Sequence, residues 1–335
     1  MFGVILFFLG AAVLLYVLFG GADFGAGILE IFAGRTRRDA VERLIGHAMA
    51  PVWEANHVWL ILAVVILFMA FPTVYTTISV HLFLPIVAIL IGIVARGTAF
   101  TFRHYDPVGA GWHPAYGHVF AWASLWTSAW LGVTAGAMVG GGIDPSAADT
   151  WGLYIAPWAN LFCLTMAVFT SALFSLLAAV FLVGEAGDAE LVALFRGRAK
   201  VAAGILVLTG AAVFGAAELS AAPLLGRFFA VPLSVASFVL ATALLWPFWR
   251  SLGHGRTRAR VLAVAIVTLV LFGWFAVQYP VAIRLAHGAV TFPEAASPPA
   301  TQRALVGALV VGSLVIFPGL GWLYTVFKRE TFARG

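Results

Sequence analysis

Residues 51–71, PVWEANHVWLILAVVILFMAF, decide the fold. Pro51 suits the first turn of a helix, where its missing N–H is not needed. Glu54, Asn56 and His57 follow within about two turns, and after Val58 no ionisable residue appears before the run ends. An apolar helix of about 20 residues matches the thickness of a bilayer core. A carboxylate, an amide and an imidazole at its mouth are costly there unless they are paired or used.

Composition extends this reading to the whole chain. Of 335 residues, 62% are hydrophobic and 10% charged, against roughly 25% charged in soluble domains; the mean hydropathy is +1.02. Long apolar runs recur from end to end, so the expected fold is all-α, a polytopic membrane protein forming one transmembrane domain over residues 1–335. The lone Cys163 excludes an internal disulfide, a CxxCH haem attachment and a cysteine zinc site. The net charge of +5 is no nucleic-acid signal, because the basic residues sit in loops. The first apolar run lacks a basic leader segment and reads as a retained span rather than a signal peptide.

Nine spans are expected, at about 2–32, 51–71, 73–102, 117–139, 157–183, 192–217, 228–249, 261–283 and 303–327. The first is interrupted by GGADFGAG (20–27), and Pro72 marks a tight turn before the third. This threading puts 16 of the 19 basic residues on one side, leaving Arg227, Arg284 and Arg303 on the other. The positive-inside rule makes the first side cytoplasmic, with the N-terminus outside and the C-terminus inside. Asp23, Glu54, His57, Arg96, Thr101 and Arg103 then all fall near the cytoplasmic face, on three successive helices. The expectation is a polar inlet open to the cytoplasm and closed toward the outside.

Each polar residue carries two readings. Glu54 either complements the helix dipole and pairs with His57 one turn on, or is a proton-carrying carboxylate tuned by burial. His57 is a proton relay or an interfacial helix-end residue. Asp23 caps backbone freed by the glycine-rich break, or belongs to a proton path. Arg96 and Arg103, seven residues apart on one helix face, either snorkel to lipid phosphates or balance Asp23 or Glu54. Eight histidines (His47, His57, His81, His104, His113, His118, His254, His287) offer no obvious pair at matching depth for a haem, and neither a metal site nor a haem is expected in this chain. Trp122, Trp126 and Trp130 form a helical stripe for packing or a partner helix, while Trp112, Trp151 and Trp158 fit an interfacial belt.

PVWEANHVWL leading into LFMAFPTVY resembles subunit II of the cytochrome bd-type quinol oxidases, whose pattern there is P-x-W-D-G-N-E-V-W-L before an aromatic-Pro-x-x-Tyr turn. GGADFGAG, RGTAFTFR (96–103) and FLVGEAGDAEL (181–191) with Arg196 and Arg198 are similar to three further elements of that family, in order. The resemblance implies two four-helix bundles plus one additional helix, and a heterodimer in a multi-pass cell-membrane complex that oxidises quinol and reduces dioxygen to water. Haem b and haem d would belong to subunit I, and this chain would bind none. A small accessory subunit, lipids and quinone are further possible partners. It implies a cytoplasmic proton path through Glu54, Asp23, His57, Asn56 and Thr101, with Arg96, Arg103, Trp53 and Trp59 as charge or structural partners. This sequence departs from the pattern at Gly20 and Thr101, where the family has acids, at His57, which replaces an acid, and at Glu54, longer than the usual Asp. The alternatives are a proton- or cation-coupled secondary transporter with Asp23 and Glu54 as its site, and a structural partner in a complex without oxygen chemistry.

Overall fold

The computed structural model describes residues 1–105, 113–254 and 256–333. The chain is built from α1 (Phe2–Ile31), α2 (Arg38–Ala70), α3 (Pro72–His81), α4 (Phe83–Tyr105), α5 (His113–Gly140), α6 (Thr150–Tyr154), α7 (Leu161–Glu185) and α8 (Ala189–Leu219). These are followed by α9 (Leu224–Ala230), α10 (Pro232–His254), α11 (Arg256–Gln278), the strands β1 (Val281–Arg284) and β2 (Ala289–Thr291), and α12 (Pro299–Ala333). The expected spans correspond in order to α1, α2, α4, α5, α7, α8, α10, α11 and α12. Among the described residues, 7 helices are long and apolar enough to cross a membrane, or up to 8 if the bent pair Asn56–Ala70 and Pro72–His81 is one span. Helix α5 is not among them, because Trp, Ser, Thr and Gly dilute its apolar surface.

Helix α1 lies at the centre, packed on α2, α5 and α7; α7 in turn packs on α5, α8 and α11, and α10 on α11. Helix α5 bridges α1 and α4, and α12 rests on α2 and α1.

Four boundaries differ from the expectations, each for a local reason. The GGADFGAG stretch does not interrupt α1, which is one helix of 30 residues. Its glycines serve contact instead. A Cβ on Gly21 would stand 2.8 Å from Leu177 Cδ1, and one on Gly25 would run into the carbonyl oxygen of Phe174. The backbones of α1 and α7 can approach only because these positions carry no side chain. Helix α2 starts at Arg38 rather than Pro51, so the basic segment ahead of the apolar run is already helical. The third span starts at Phe83, because Pro72 disfavours helical backbone at Phe71 and opens α3, which turns away from α2 by 116°. The carbonyl of Ala70, at the end of α2, accepts from the N–H of Ser297 at 2.8 Å. Finally, α11 stops at Gln278, and the chain forms an antiparallel β1–β2 ribbon before α12.

The helix ends follow capping chemistry. Asn160 accepts from the Cys163 N–H at the start of α7, and Asp188 accepts from the Glu190 N–H at the start of α8. Helix α1 has no basic residue in its last turn. Arg198 of α8 supplies one, donating to the carbonyls of Leu29 (2.8 Å) and Phe32 (2.5 Å). Arg260 of α11 does the same for α7, donating to the Phe181 carbonyl at 2.6 Å and pairing with Glu185 at 2.7 Å.

The Gly25 contact is testable. Gly25→Ala places a methyl group against backbone, which cannot rotate away, and should destabilise the protein by at least about 1–3 kcal/mol. Gly3→Ala, whose Cβ meets nothing within 4 Å, should leave thermal stability in detergent unchanged.

Candidate functional site

The site is assembled on one face of α1. Tyr16, Gly20, Asp23, Gly27 and Glu30 recur at intervals of four and three residues, which lines them along one stripe of a helix. Asp23 and Glu30 are 0% and 2% exposed, and among the described residues they are the buried acids.

Two arginines of α4 answer them. Arg96, 1% exposed, donates from Nη2 to Asp23 Oδ1 at 2.5 Å and to the Asp23 carbonyl at 3.1 Å. Its Nε donates to Ser124 Oγ of α5 at 2.9 Å, and Ser124 donates onward to the Phe120 carbonyl at 2.7 Å. Arg103 donates from Nη1 to both oxygens of Glu30 at 3.1 Å. Both pairs span 73 residues of sequence. Their acids are seven residues apart on α1 and their arginines seven apart on α4, so the two helices run parallel in matched register.

Helix α5 fills the space between. The Phe120 ring lies under both guanidinium groups, 4.6 Å from Arg96 and 5.0 Å from Arg103, and Phe24 covers Arg96 from the other side at 5.0 Å. Stacking on rings suits a weakly hydrated guanidinium better than an ammonium. Gly27 is required here, since a Cβ would collide with the Ser124 hydroxyl.

Toward the basic end of the bundle the polar file continues. Gly117 of α5 lies under two carboxylates: a Cβ there would stand 3.0 Å from Glu42 Oε1 and 3.3 Å from Glu30 Oε1. Glu42 accepts from Arg38 Nε at 2.7 Å, and Arg38 Nη1 lies 3.2 Å from His118 Nε2, which is exposed. Titratable groups thus run from the surface through Glu42 and Glu30 to Asp23.

Of the residues singled out by sequence, Asp23, Asn56 and Arg96 are fully buried together, and His57, half-buried, lies within electrostatic reach of Asp23 and Arg96. A Cβ on Gly20 would stand 2.7 Å from Asn56 Oδ1, so Asn56 occupies the room that a side chain at position 20 would need. Trp59 is buried in the adjoining core with Tyr16. The structure does not bring Thr101 to this group: it is exposed and its hydroxyl donates back to the Gly97 carbonyl at 2.9 Å. The snorkelling reading of Arg96 is overturned by its burial against Asp23. The side chains of Trp53 and Glu54 lie outside the described residues.

Glu30 escaped the sequence reading, as did Tyr16, Ser124 and Glu42. Glu30 had a usable signal: the Asp23–Glu30 interval equals the Arg96–Arg103 interval. The remaining three had none, since a Tyr, a Ser and a surface Glu are ordinary at those positions.

Three of the described histidines lie in separate surroundings. His118 sits with Arg38 at the basic end, His57 beside Asp23 and Arg96, and His81 Nδ1 lies 3.3 Å from the Leu153 carbonyl at the opposite end. Outside the apolar helices, the Asp144 carboxylate accepts from the Ser146 hydroxyl and N–H, which holds it below the usual carboxylate range.

The burial of Asp23 and Arg96 generates a prediction. Arg96→Leu leaves a carboxylate uncompensated in an apolar bundle and should cost about 3–5 kcal/mol, whereas the double variant Asp23→Leu/Arg96→Leu should recover most of that loss. Thermal melts of the four proteins of this cycle measure the coupling.

Comparisons with known proteins agree on one family. Residues 2–327 match the sequence profile of cytochrome bd terminal oxidase subunit II. The cytochrome bd ubiquinol oxidase subunit 2 of Bacillus subtilis (strain 168) is 36% identical over 83 residues, 25% of this chain and 24% of that protein. The cytochrome bd-I ubiquinol oxidase subunit 2 of Escherichia coli (strain K12) is 32% identical over 94 residues, 28% of this chain and 24% of that protein. These alignments therefore span about a quarter of the relatives' length. The structure of bd oxidase from Geobacillus thermodenitrificans superposes with a TM-score of 0.74 at 21% identity, covering 95% of this chain and 97% of that one, which shows a shared fold. A match over nearly the whole length places the chain: it belongs to the cytochrome bd terminal oxidase subunit II family.

Proposed function

We propose that this chain is the haem-free partner of a haem-bearing subunit I in a quinol oxidase of the cytoplasmic membrane, and that it delivers protons from the cytoplasm toward the site of dioxygen reduction. The complex would oxidise quinol and reduce dioxygen to water, with haem b and haem d held by subunit I. The basic end of the bundle would face the cytoplasm.

One observation carries this reading: two acids buried to 2% or less on α1, each held by an arginine of α4, joined at one end of the bundle to surface-reaching groups. A buried ion pair is weak evidence for stability, since well-packed apolar residues commonly do as well. Ionisable groups inside a membrane span point first to proton or ion movement. The proposed order of groups is Glu42, Glu30 and Asp23, with Glu54, Asn56 and His57 of α2 carrying protons on toward the partner. Each arginine supplies the opposite charge that a buried carboxylate needs in an apolar medium. Thr101 has no place in this order, because its hydroxyl is tied to its own helix.

A transporter would call for acids in both halves of the fold. The buried acids among the described residues are both on α1, and the described residues of α7–α12 include no buried acid.

The complex purified through this chain should show a reduced-minus-oxidised spectrum with haem d absorption; a haem-free monomer contradicts the oxidase reading. Glu54→Ala and Glu30→Gln should each depress quinol-driven oxygen consumption by roughly tenfold or more, at the low end of what positioned proton transfer contributes, while haem content stays at the wild-type level. Full turnover in both variants removes the proton-path role.

A further inference from the structure

Charge is not balanced evenly across the basic end of the bundle. Arg37, Arg38, Arg96, Arg103 and Arg260 each pair with an acid. The hairpin of α10 and α11 differs. Its tip carries Arg250, Arg256, Arg258 and Arg260, yet no Asp or Glu occurs anywhere between Glu218 and Glu294. Arg260 borrows its partner, Glu185, from α7. Arg250 and Arg258, on the two arms of the same turn, are exposed, and among the described residues neither has an acid partner. This tip therefore holds positive charge that the chain itself does not answer.

Arg250 is held ready for an anion. Its guanidinium lies 3.9 Å over the Trp246 ring. Stacking fixes the guanidinium plane and leaves its N–H edge open, and that edge matches a phosphate through two parallel bonds. Trp246 is 65% exposed, and Trp249 beside it is exposed too; tryptophans of this kind sit at the level of lipid headgroups. The same face of α10 continues two turns deeper to Val239, also exposed. Helix α10 packs chiefly on α11, which leaves this face to the bilayer. A charged fork at the end of an apolar stripe fits a molecule with a phosphate head and an acyl chain. An acidic peptide would use the arginines and leave the stripe idle. We infer that Arg250, Arg258 and Trp246 form a binding site for an anionic phospholipid at the tip of the α10–α11 hairpin, with an acyl chain along Trp246 and Val239. The unanswered positive charge selects an anionic lipid over a zwitterionic one. The site is remote from the acids of α1, and the inference stands whether or not they carry protons.

Native mass spectrometry of the intact complex, stripped of lipid in detergent and titrated with phosphatidylglycerol or phosphatidylcholine, tests it. The wild type should retain phosphatidylglycerol in preference to phosphatidylcholine. An arginine at a membrane surface is worth roughly a five-fold change in affinity for anionic lipid. Arg250→Gln/Arg258→Gln should therefore bind phosphatidylglycerol at least about tenfold more weakly at this site and retain one molecule fewer. Arg37→Gln removes a charge already paired with Glu190 and should retain as many as wild type. Trp246→Leu keeps apolar surface but loses the stack, and should weaken binding by roughly two- to five-fold. Both arginines are exposed, so the lipid-free double variant should melt with the wild type, which separates loss of a site from loss of fold. Equal retention of the two lipids by the wild type, a double variant that retains as much phosphatidylglycerol as wild type, or displacement of the lipid by excess inorganic phosphate overturns the inference. Lipid retention is read without turnover, so failure of the proton-path reading would leave it unaffected.

Discussion

The interaction on which the rest of this structure depends is the ion pair between Asp23 and Arg96. Its side chains are 0% and 1% exposed, in a bundle whose other contents are mostly hydrocarbon. Removing either charge from water costs several kcal/mol, and the pair is tolerable only when the geometry is good and the remaining donors are satisfied. The neighbours meet those terms. Ser124 takes the guanidinium Nε, the Asp23 carbonyl takes a second bond from Nη2, and two phenylalanine rings cover the guanidinium faces. Gly27 leaves the room that Ser124 needs. A single pair of charges thus dictates side chains on α1, α4 and α5.

The second pair, Glu30 with Arg103, repeats the arrangement two helical turns nearer the basic end and shares the Phe120 ring with the first. Matched register follows from having two rungs: sliding α4 by one residue would break both at once. The close approach of α1 to α7 through Gly21 and Gly25 fixes the opposite side of the same helix. Helix α1 is therefore held by charge on one face and by backbone contact on another. The arginines that cap α1 and α7 from α8 and α11 close their carbonyl ends in the same manner. The apolar exterior of α2 and α4, including Ile61, Phe68, Leu90 and Ile91, is left for lipid or a partner.

Much of this was legible in the sequence. Apolar run length gave the long helices in order, and the grouping of Asp23, His57 and Arg96 followed from depth in the threading, while Asn56 joined them only through the resemblance. What escaped did so for physical reasons. Glycine in a row reads as a break when its neighbour is unknown; here the missing side chains admit α7, and the helix stays whole. Glu30 went unremarked because its burial depends on Arg103, 73 residues away. Thr101 sits three residues from neither rung, on the exposed face of α4, and a motif match carries no information about which face that is. The turn of α3 away from α2 was marked by Pro72, but its extent was not. The β1–β2 ribbon lay in a stretch whose apolar residues read as the end of a span.

On the proposed account, Asp23 is titrated through its neighbours during the reaction rather than being a fixed strut. Redox-triggered infrared difference spectroscopy of the intact complex, in H₂O and D₂O, with Asp23→Asn as the reference, measures that most directly. The account predicts a carboxyl signal that shifts in D₂O and disappears in Asp23→Asn. An Asp23 that stays silent and unexchanged through the full redox cycle contradicts it.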